Sequence, residues 1–158
     1  MPFFLRLLTL LLGAYLSGCA SLATDHLANN LSRAMLNQTD PEIVRSGAPA
    51  YLLLLDSLIA QDPDDQDLLF AGTRLYGAYA GGLVDDADRQ QGLTDKALDY
   101  ARRGLCPETP SLCKALDQPY DNFSKSLAEV DEDEIEGIYL YATSWAGWIQ
   151  AHSDDWQA

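Results

Sequence analysis

Apolar residues recur at helical spacing along most of this chain, and Asp-Pro pairs or glycine-rich turns separate the apolar segments. In segment 22–36 Leu27, Leu31, Ala34 and Met35 fall at helical spacing, with polar residues opposite. Segment 49–60 begins with Pro49, a residue that the first turn of a helix tolerates. The spacing predicts helices over 22–36 and 49–60, with a short helical connector over 42–46.

The second of these helices is the most apolar segment after the N-terminus. Four consecutive leucines occupy positions 52–55, so almost every face is apolar. Such a helix is normally buried on all sides. Asp56 follows the leucines, and a carboxylate in a core requires a cation, donors or water. We expect Asp56 to be a structural carboxylate with Arg74 as its candidate partner.

Four further helices are predicted, over 65–84, 93–104, 119–130 and from 131 onward. Thr94 is the expected N-cap of the second of these and Gly104 its C-terminal glycine. Acidic residues 131–134 suit a helix N-terminus better than a metal site. The last helix carries a stripe that we expect in the core: Ile135, Ile138, Tyr139, Ala142, Trp145, Ala146 and Ile149.

Nothing in the chain has the alternating pattern of a strand, so the sequence predicts an all-α fold. Helix pairs separated by Asp-Pro breaks indicate helical hairpins stacked as degenerate tetratricopeptide-like (TPR-like) repeats. Segment 65–84 is unusual because small residues are scattered through it: Ala71, Gly72, Gly77, Ala78, Gly81 and Gly82. Glycine disfavours a helix by about 1 kcal/mol relative to alanine. Close helix packing is the expected compensation, and close approach of a ligand is the alternative.

The N-terminus has the features of a targeting segment. Residues 1–18 combine one basic residue with an apolar run too short to span a membrane comfortably. They end in Leu16-Ser17-Gly18-Cys19, which resembles the lipobox of bacterial lipoproteins. We expect cleavage before Cys19 and lipid attachment to its sulfur, with an ordinary signal peptide as the alternative. Ala20 favours the outer membrane over the inner one.

Residues 19–158 are long enough for one core and one domain. The whole chain has 24 acidic and 10 basic residues, a net charge of −14. A surface this acidic argues against nucleic acid and against peripheral binding to anionic lipid. Membrane attachment would therefore depend on the lipid at Cys19.

Cys106 and Cys113 flank a proline-rich loop. In an oxidising periplasm the simplest interpretation is a structural disulfide. A zinc site would need two more ligands nearby, and a redox pair is more typically separated by two residues.

The sequence does not predict an enzyme, a cofactor or a bound metal. Nucleophilic catalysis needs a base beside the nucleophile, and the two histidines, His26 and His152, lie near the ends. The common hydrolase, metalloprotease and phosphate-binding motifs are absent from the sequence.

Several segments together resemble the TatT family, the T-component lipoproteins of tripartite ATP-independent periplasmic (TRAP) transporters. The resemblance lies in segments 47–59, 75–80, 93–101 and 145–151, and in Asp154-Asp155-Trp156. It implies cryptic TPR-like repeats, a lipid-anchored periplasmic location and a homotrimer around a pore. It also implies association with a periplasmic solute-binding protein whose ligands include apolar ones.

We therefore predict a non-enzymatic binding and scaffold component of a TRAP-type uptake system, attached to the envelope and facing the periplasm. The candidate groove for a hydrophobic ligand or partner is aromatic: Tyr76, Tyr79, Tyr141, Trp145 and Trp148. The alternative is that these aromatic side chains fill the core. The alternative is a TPR-like lipoprotein that scaffolds envelope or outer-membrane assembly. A neighbouring gene for a TRAP permease or solute-binding protein would distinguish the two functions. Residues 153–156 have the pattern of another helix start, so we expect a chain truncated at its C-terminus.

Overall fold

The computed structural model describes residue 30 and residues 33–154. The predicted signal peptide, Cys19 and most of the predicted helix 22–36 lie outside the described residues, as do residues 155–158. Of that helix, residues 30 and 33–36 are described, and they are helical.

Besides the helical residues 30 and 33–36, six α-helices and one short 3-10 helix make up the described part of the chain, which contains no strand. The prediction of an all-helical fold is confirmed, whereas the TPR-like repeat arrangement stays a prediction. The helices are α1 (Pro41–Gln61), α2 (Gln66–Leu83), α3 (Ala87–Leu105), α4 (Pro110–Ala115), α5 (Tyr120–Leu127) and α6 (Ile135–Ala151), with the 3-10 turn Glu132–Glu134 directly before α6.

Aspartates cap the first three helices. The side chain of Asp40 accepts the Glu42 N–H at the start of α1. Asp65 and Asp86 do the same for backbone N–H groups in the first turns of α2 and α3. Each cap satisfies a donor that the helix itself leaves without an acceptor, which sets where the helix begins.

Two predicted helix starts are wrong. Helix α1 begins at Pro41 and runs through Pro49, so the predicted connector 42–46 is its first part. Helix α3 begins at Ala87, before the predicted Thr94 cap, because Asp86 supplies the cap. The Thr94 hydroxyl instead donates to its own helix, at the Gln90 carbonyl oxygen 3.0 Å away.

Helix α3 is central. It packs along α2 and along α6, while α1 packs against α2 and α4 pairs with α5. The main core lies between α1, α2 and α3 and includes these residues: Ala48, Leu52, Leu55, Ile59, Leu68, Leu69, Ala71, Leu75, Tyr76, Tyr79, Ala97 and Tyr100.

Helix α1 is at the edge of this core, and the expectation of burial on all sides is wrong. Leu52 and Leu55 are buried, whereas Leu53 is 70% exposed and Leu54 is also exposed. By length and composition α1 passes the criteria for a membrane span, which the core helices of soluble proteins also pass. The face of α1 that carries Leu53 and Leu54 is therefore not covered by the described part of the chain.

The start of α6 is as predicted, but its rotation is not. Asp131 and Glu134 form a capping box at the acidic start. The predicted core stripe faces solvent, with Ile135, Trp145 and Ile149 all about half exposed and Tyr139 66% exposed. The buried residues are Gly137, Leu140 and Ser144. The backbone of α6 comes close to Phe70 and Leu105 at Gly137. This contact turns the face with small residues inward.

Candidate functional site

The carboxylate of Asp56 lies at the junction of α1, α2 and α3. Its Oδ2 accepts hydrogen bonds from the Tyr76 hydroxyl at 2.8 Å and the Lys96 ammonium at 2.5 Å. Its Oδ1 accepts one from the Tyr100 hydroxyl at 2.7 Å. The Asp56 side chain is 24% exposed. Both oxygens are thus used within the protein, and the carboxylate joins three helices.

The pKa values within this cluster favour the charged pair. Burial tends to raise the pKa of Asp56, but hydrogen bonds from Lys96, Tyr100 and Tyr76 outweigh it and lower that pKa below 3.8. Burial tends to lower the pKa of Lys96, and the hydrogen bond to Asp56 reverses that effect. Burial and the carboxylate both raise the pKa values of the two tyrosines. At neutral pH the cluster therefore holds one carboxylate, one ammonium and two neutral hydroxyls.

The structure corrects the predicted partner of Asp56. Arg74 pairs with Glu136 of α6, and the cation beside Asp56 is Lys96. Lys96 also lies over the Tyr76 ring, 5.0 Å from its centroid. The i, i+4 spacing of Lys96 and Tyr100 could have suggested this, because residues four apart share a helix face. The sequence does not show which helix packs against that face.

A second candidate site is an apolar cavity of about 400 Å³ between the end of α3, the short helices α4 and α5, and α6. We call it the apolar cavity. Its lining is almost entirely hydrophobic or aromatic: Leu105, Leu112, Leu116, Gln118, Tyr120, Phe123, Ile138, Tyr141, Ala142 and Trp145. Its size and composition are those of pockets that bind small apolar molecules.

Tyr141 and Trp145 form the α6 wall of the apolar cavity. Their ring centroids are 6.3 Å apart and the rings are tilted by 37°. Burial raises the pKa of Tyr141, so its hydroxyl is neutral at physiological pH. Trp145 is 47% exposed and Tyr120 more so, which places both at the rim. Because Tyr120 of α5 is exposed, the cavity is open on that side.

Three predicted groove residues lie elsewhere. Tyr76 is buried beside Asp56, and Tyr79 is buried with its hydroxyl accepting a hydrogen bond from Arg89. The Trp148 indole N–H donates to Asp95 at 2.6 Å, and its ring stacks on His152. Of the five predicted aromatics, only Tyr141 and Trp145 line the apolar cavity. Tyr76 instead contacts residues of α1 and α3, and Tyr79 and Trp148 contact residues of α3.

Cys106 and Cys113 are joined by a disulfide in the structure, with their Cα atoms 5.2 Å apart. The bridge connects the end of α3 to α4. Leu105 and Leu112, each adjacent to one of the cysteines, line the apolar cavity. The disulfide therefore holds two walls of the cavity at a short distance.

Fold and site together define the class: an all-helical protein with an apolar, aromatic-lined cavity. The family model for the TRAP transporter T-component matches residues 37–158. The chain belongs to this family, which makes it an accessory component of a TRAP transporter associated with the bacterial envelope. Comparisons with curated proteins and with solved structures found no significant match.

Proposed function

We propose that this T-component binds the periplasmic solute-binding protein of its TRAP system and receives an apolar ligand in the apolar cavity. Family membership supports the transport role. The observation that carries the ligand assignment is the apolar cavity, about 400 Å³ in volume, with Tyr141 and Trp145 as its α6 wall. Aromatic walls give a large apolar contact area without selecting a particular polar group.

The same proposal includes a lipid on Cys19 that tethers the protein to the outer membrane, facing the periplasm. It is supported by the lipobox-like segment 16–19. The net charge of −14 also supports it, since an acidic protein gains little from direct contact with anionic lipid. A homotrimer around a pore is a further part of the proposal and rests on the resemblance to the TatT family.

The partner assignment is tested with the full-length chain and the solute-binding protein encoded beside the TRAP permease genes. We expect the two proteins to co-elute in size-exclusion chromatography at low salt and high concentration. Two separate peaks under these conditions would contradict the partner assignment. Light scattering on the same column gives the oligomeric state of each peak.

The ligand assignment has its own readout in the same preparation. The neutral apolar dye N-phenyl-1-naphthylamine should bind with increased fluorescence, and Trp145→Ala should weaken its binding about tenfold, a loss near 1.4 kcal/mol. The matched control is Trp148→Ala, which removes a tryptophan of the same helix that does not line the cavity. Equal effects of the two substitutions would argue against the apolar cavity as the ligand site.

A further inference from the structure

A second concave surface lies on the opposite side of α6 from the apolar cavity. Helices α2 and α6 both pack on α3 and contact each other over a short stretch. Between them lies a groove of about 320 Å³. Gly77 and Gly81 of α2 form one wall and Gly147 of α6 lies in the opposite wall. We call it the glycine groove.

Packing among the described residues does not account for these three glycines. At Gly72, Gly104 and Gly137 an added Cβ would meet a core side chain at 3.1 Å or less. At the groove positions 77, 81 and 147, an added Cβ would meet nothing within 4 Å in the described part of the chain. Glycine at a helical position weakens the helix relative to alanine. Among the described residues, the absence of a Cβ at these positions therefore leaves this surface open.

A buried hydroxyl points to an occupant of the groove. Ser144 lines it, is only 8% exposed, and has no hydrogen bond among the described residues. The other two buried hydroxyls of the groove, those of Thr73 and Thr94, donate to carbonyl oxygens of their own helices. Buried polar groups normally have a partner, and the described residues supply none to Ser144, so a donor or acceptor that entered the groove would meet a hydroxyl able to pair with it.

The charge pattern favours a polypeptide as the occupant. The one cation in the groove lining, Arg74, is paired with Glu136. From residue 137 to 151 there is no charged residue, although the chain has a net charge of −14. That stretch includes the exposed side chains of Tyr139 and Ile149. Depletion of charge together with exposed aromatic residues is typical of the central part of a protein interface.

We propose that the glycine groove docks a segment of the partner solute-binding protein through that segment's main chain. Hydroxyls and neutral amides match peptide N–H and C=O groups, and the glycines permit close approach of a backbone. The segment would carry small, uncharged side chains where it faces Gly77 and Gly147. This inference rests on the proposed partner and assigns it a surface distinct from the apolar cavity.

The test compares binding and stability in the same variants of the full-length chain. We expect Gly77→Ala and Gly147→Ala to raise Tm by about 2–4 °C, since the methyl group meets open space and favours the helix. The same substitutions should raise the Kd for the solute-binding protein, measured by calorimetry, about tenfold through overlap with the docked segment. Ser144→Ala should leave Tm unchanged or higher and weaken binding about fivefold.

Gly92→Ala is the matched control, because Gly92 is also a helical glycine with open space around its Cβ position but lies on α3 outside the groove lining. It should raise Tm without changing Kd. Unchanged Kd values in the groove variants, or an equal loss with Gly92→Ala, would overturn the docking site and leave the proposed function standing. No binding by the wild-type chain would overturn the partner assignment and the docking site together.

Discussion

At the scale of single residues, Asp56 shows how a costly buried charge becomes a structural connection. A carboxylate removed from water without partners would strongly destabilise a fold. Here two tyrosine hydroxyls and one ammonium from α2 and α3 replace that water. The sequence identified Asp56 as the residue that needed partners. The structure identified the partners, and Lys96 contributes less than a fully buried cation would because its side chain is 38% exposed.

Replacing Asp56 should therefore destabilise the protein in a graded way. We expect Asp56→Asn to lower the free energy of unfolding by about 1–2 kcal/mol, because an amide weakens the pair with Lys96. Asp56→Leu should lower it by about 2–4 kcal/mol, because two hydroxyls and an ammonium lose their acceptor. Urea unfolding monitored by circular dichroism measures both values.

Asp99→Asn is the control, since Asp99 forms only an exposed pair with Arg103 and should change stability by less than about 0.5 kcal/mol. The pH dependence gives a second check. A lowered pKa means that Asp56 stabilises the fold above its unfolded value of 3.8 and loses this effect as pH falls through the lower folded value. The difference between wild type and Asp56→Asn should shrink below pH 4. Loss of partner binding with unchanged stability would contradict a structural role.

At the scale of helices, glycines have two separate roles. Gly72, Gly104 and Gly137 allow a ring or a leucine to lie directly against a helix backbone. Gly77, Gly81 and Gly147 have no neighbour at the Cβ position in the part of the chain that the structure describes. The sequence predicted close helix packing for the glycines of 65–84 as a group. That explanation fits Gly72, where the Tyr100 ring occupies the space that a Cβ would take, but not Gly77 or Gly81. Whether a side chain from another helix occupies that space depends on the tertiary structure.

The two roles predict opposite effects of the same substitution within one helix. A Cβ added to Gly104 would lie 2.5 Å from Cε1 of the buried Phe70 ring. Gly104→Ala should therefore lower the free energy of unfolding by about 1–2 kcal/mol. Gly92→Ala, on the same helix α3, should raise it by about 1 kcal/mol. Chemical denaturation of both variants measures the difference, and effects of the same sign would show that the packing at Gly104 is misassigned.

At the scale of the whole molecule, the distribution of charge matters more than its total. The net charge of −14 places many carboxylates on the surface. Helix α6 is uncharged from residue 137 onward and separates the apolar cavity from the glycine groove. The two concave surfaces therefore share one uncharged element in an otherwise acidic protein, which suits binding of an apolar ligand on one side and a protein segment on the other.

Repulsion among the surface carboxylates should make stability depend on salt. We expect Tm to rise by about 2–4 °C between low salt and 0.2 M sodium chloride, as screening reduces repulsion in the folded state. The rise should level off above about 0.2 M, because the screening length is then already shorter than most surface charge separations. Calorimetry across a salt series measures it. A fall in Tm, or a linear rise without a plateau, would contradict this explanation.

The sequence by itself determined the helical class, the positions of most breaks and the acidic start of α6, because side-chain periodicity and capping residues act locally. It also determined the family and the residue, Asp56, that required partners. Only the tertiary structure decided the rotation of α6, the exposed face of α1 and the choice of Lys96 over Arg74. These depend on which neighbouring surfaces come close: Gly137 against Phe70 turned the predicted core stripe outward, so Tyr141 and Trp145 line the apolar cavity while Trp148 does not.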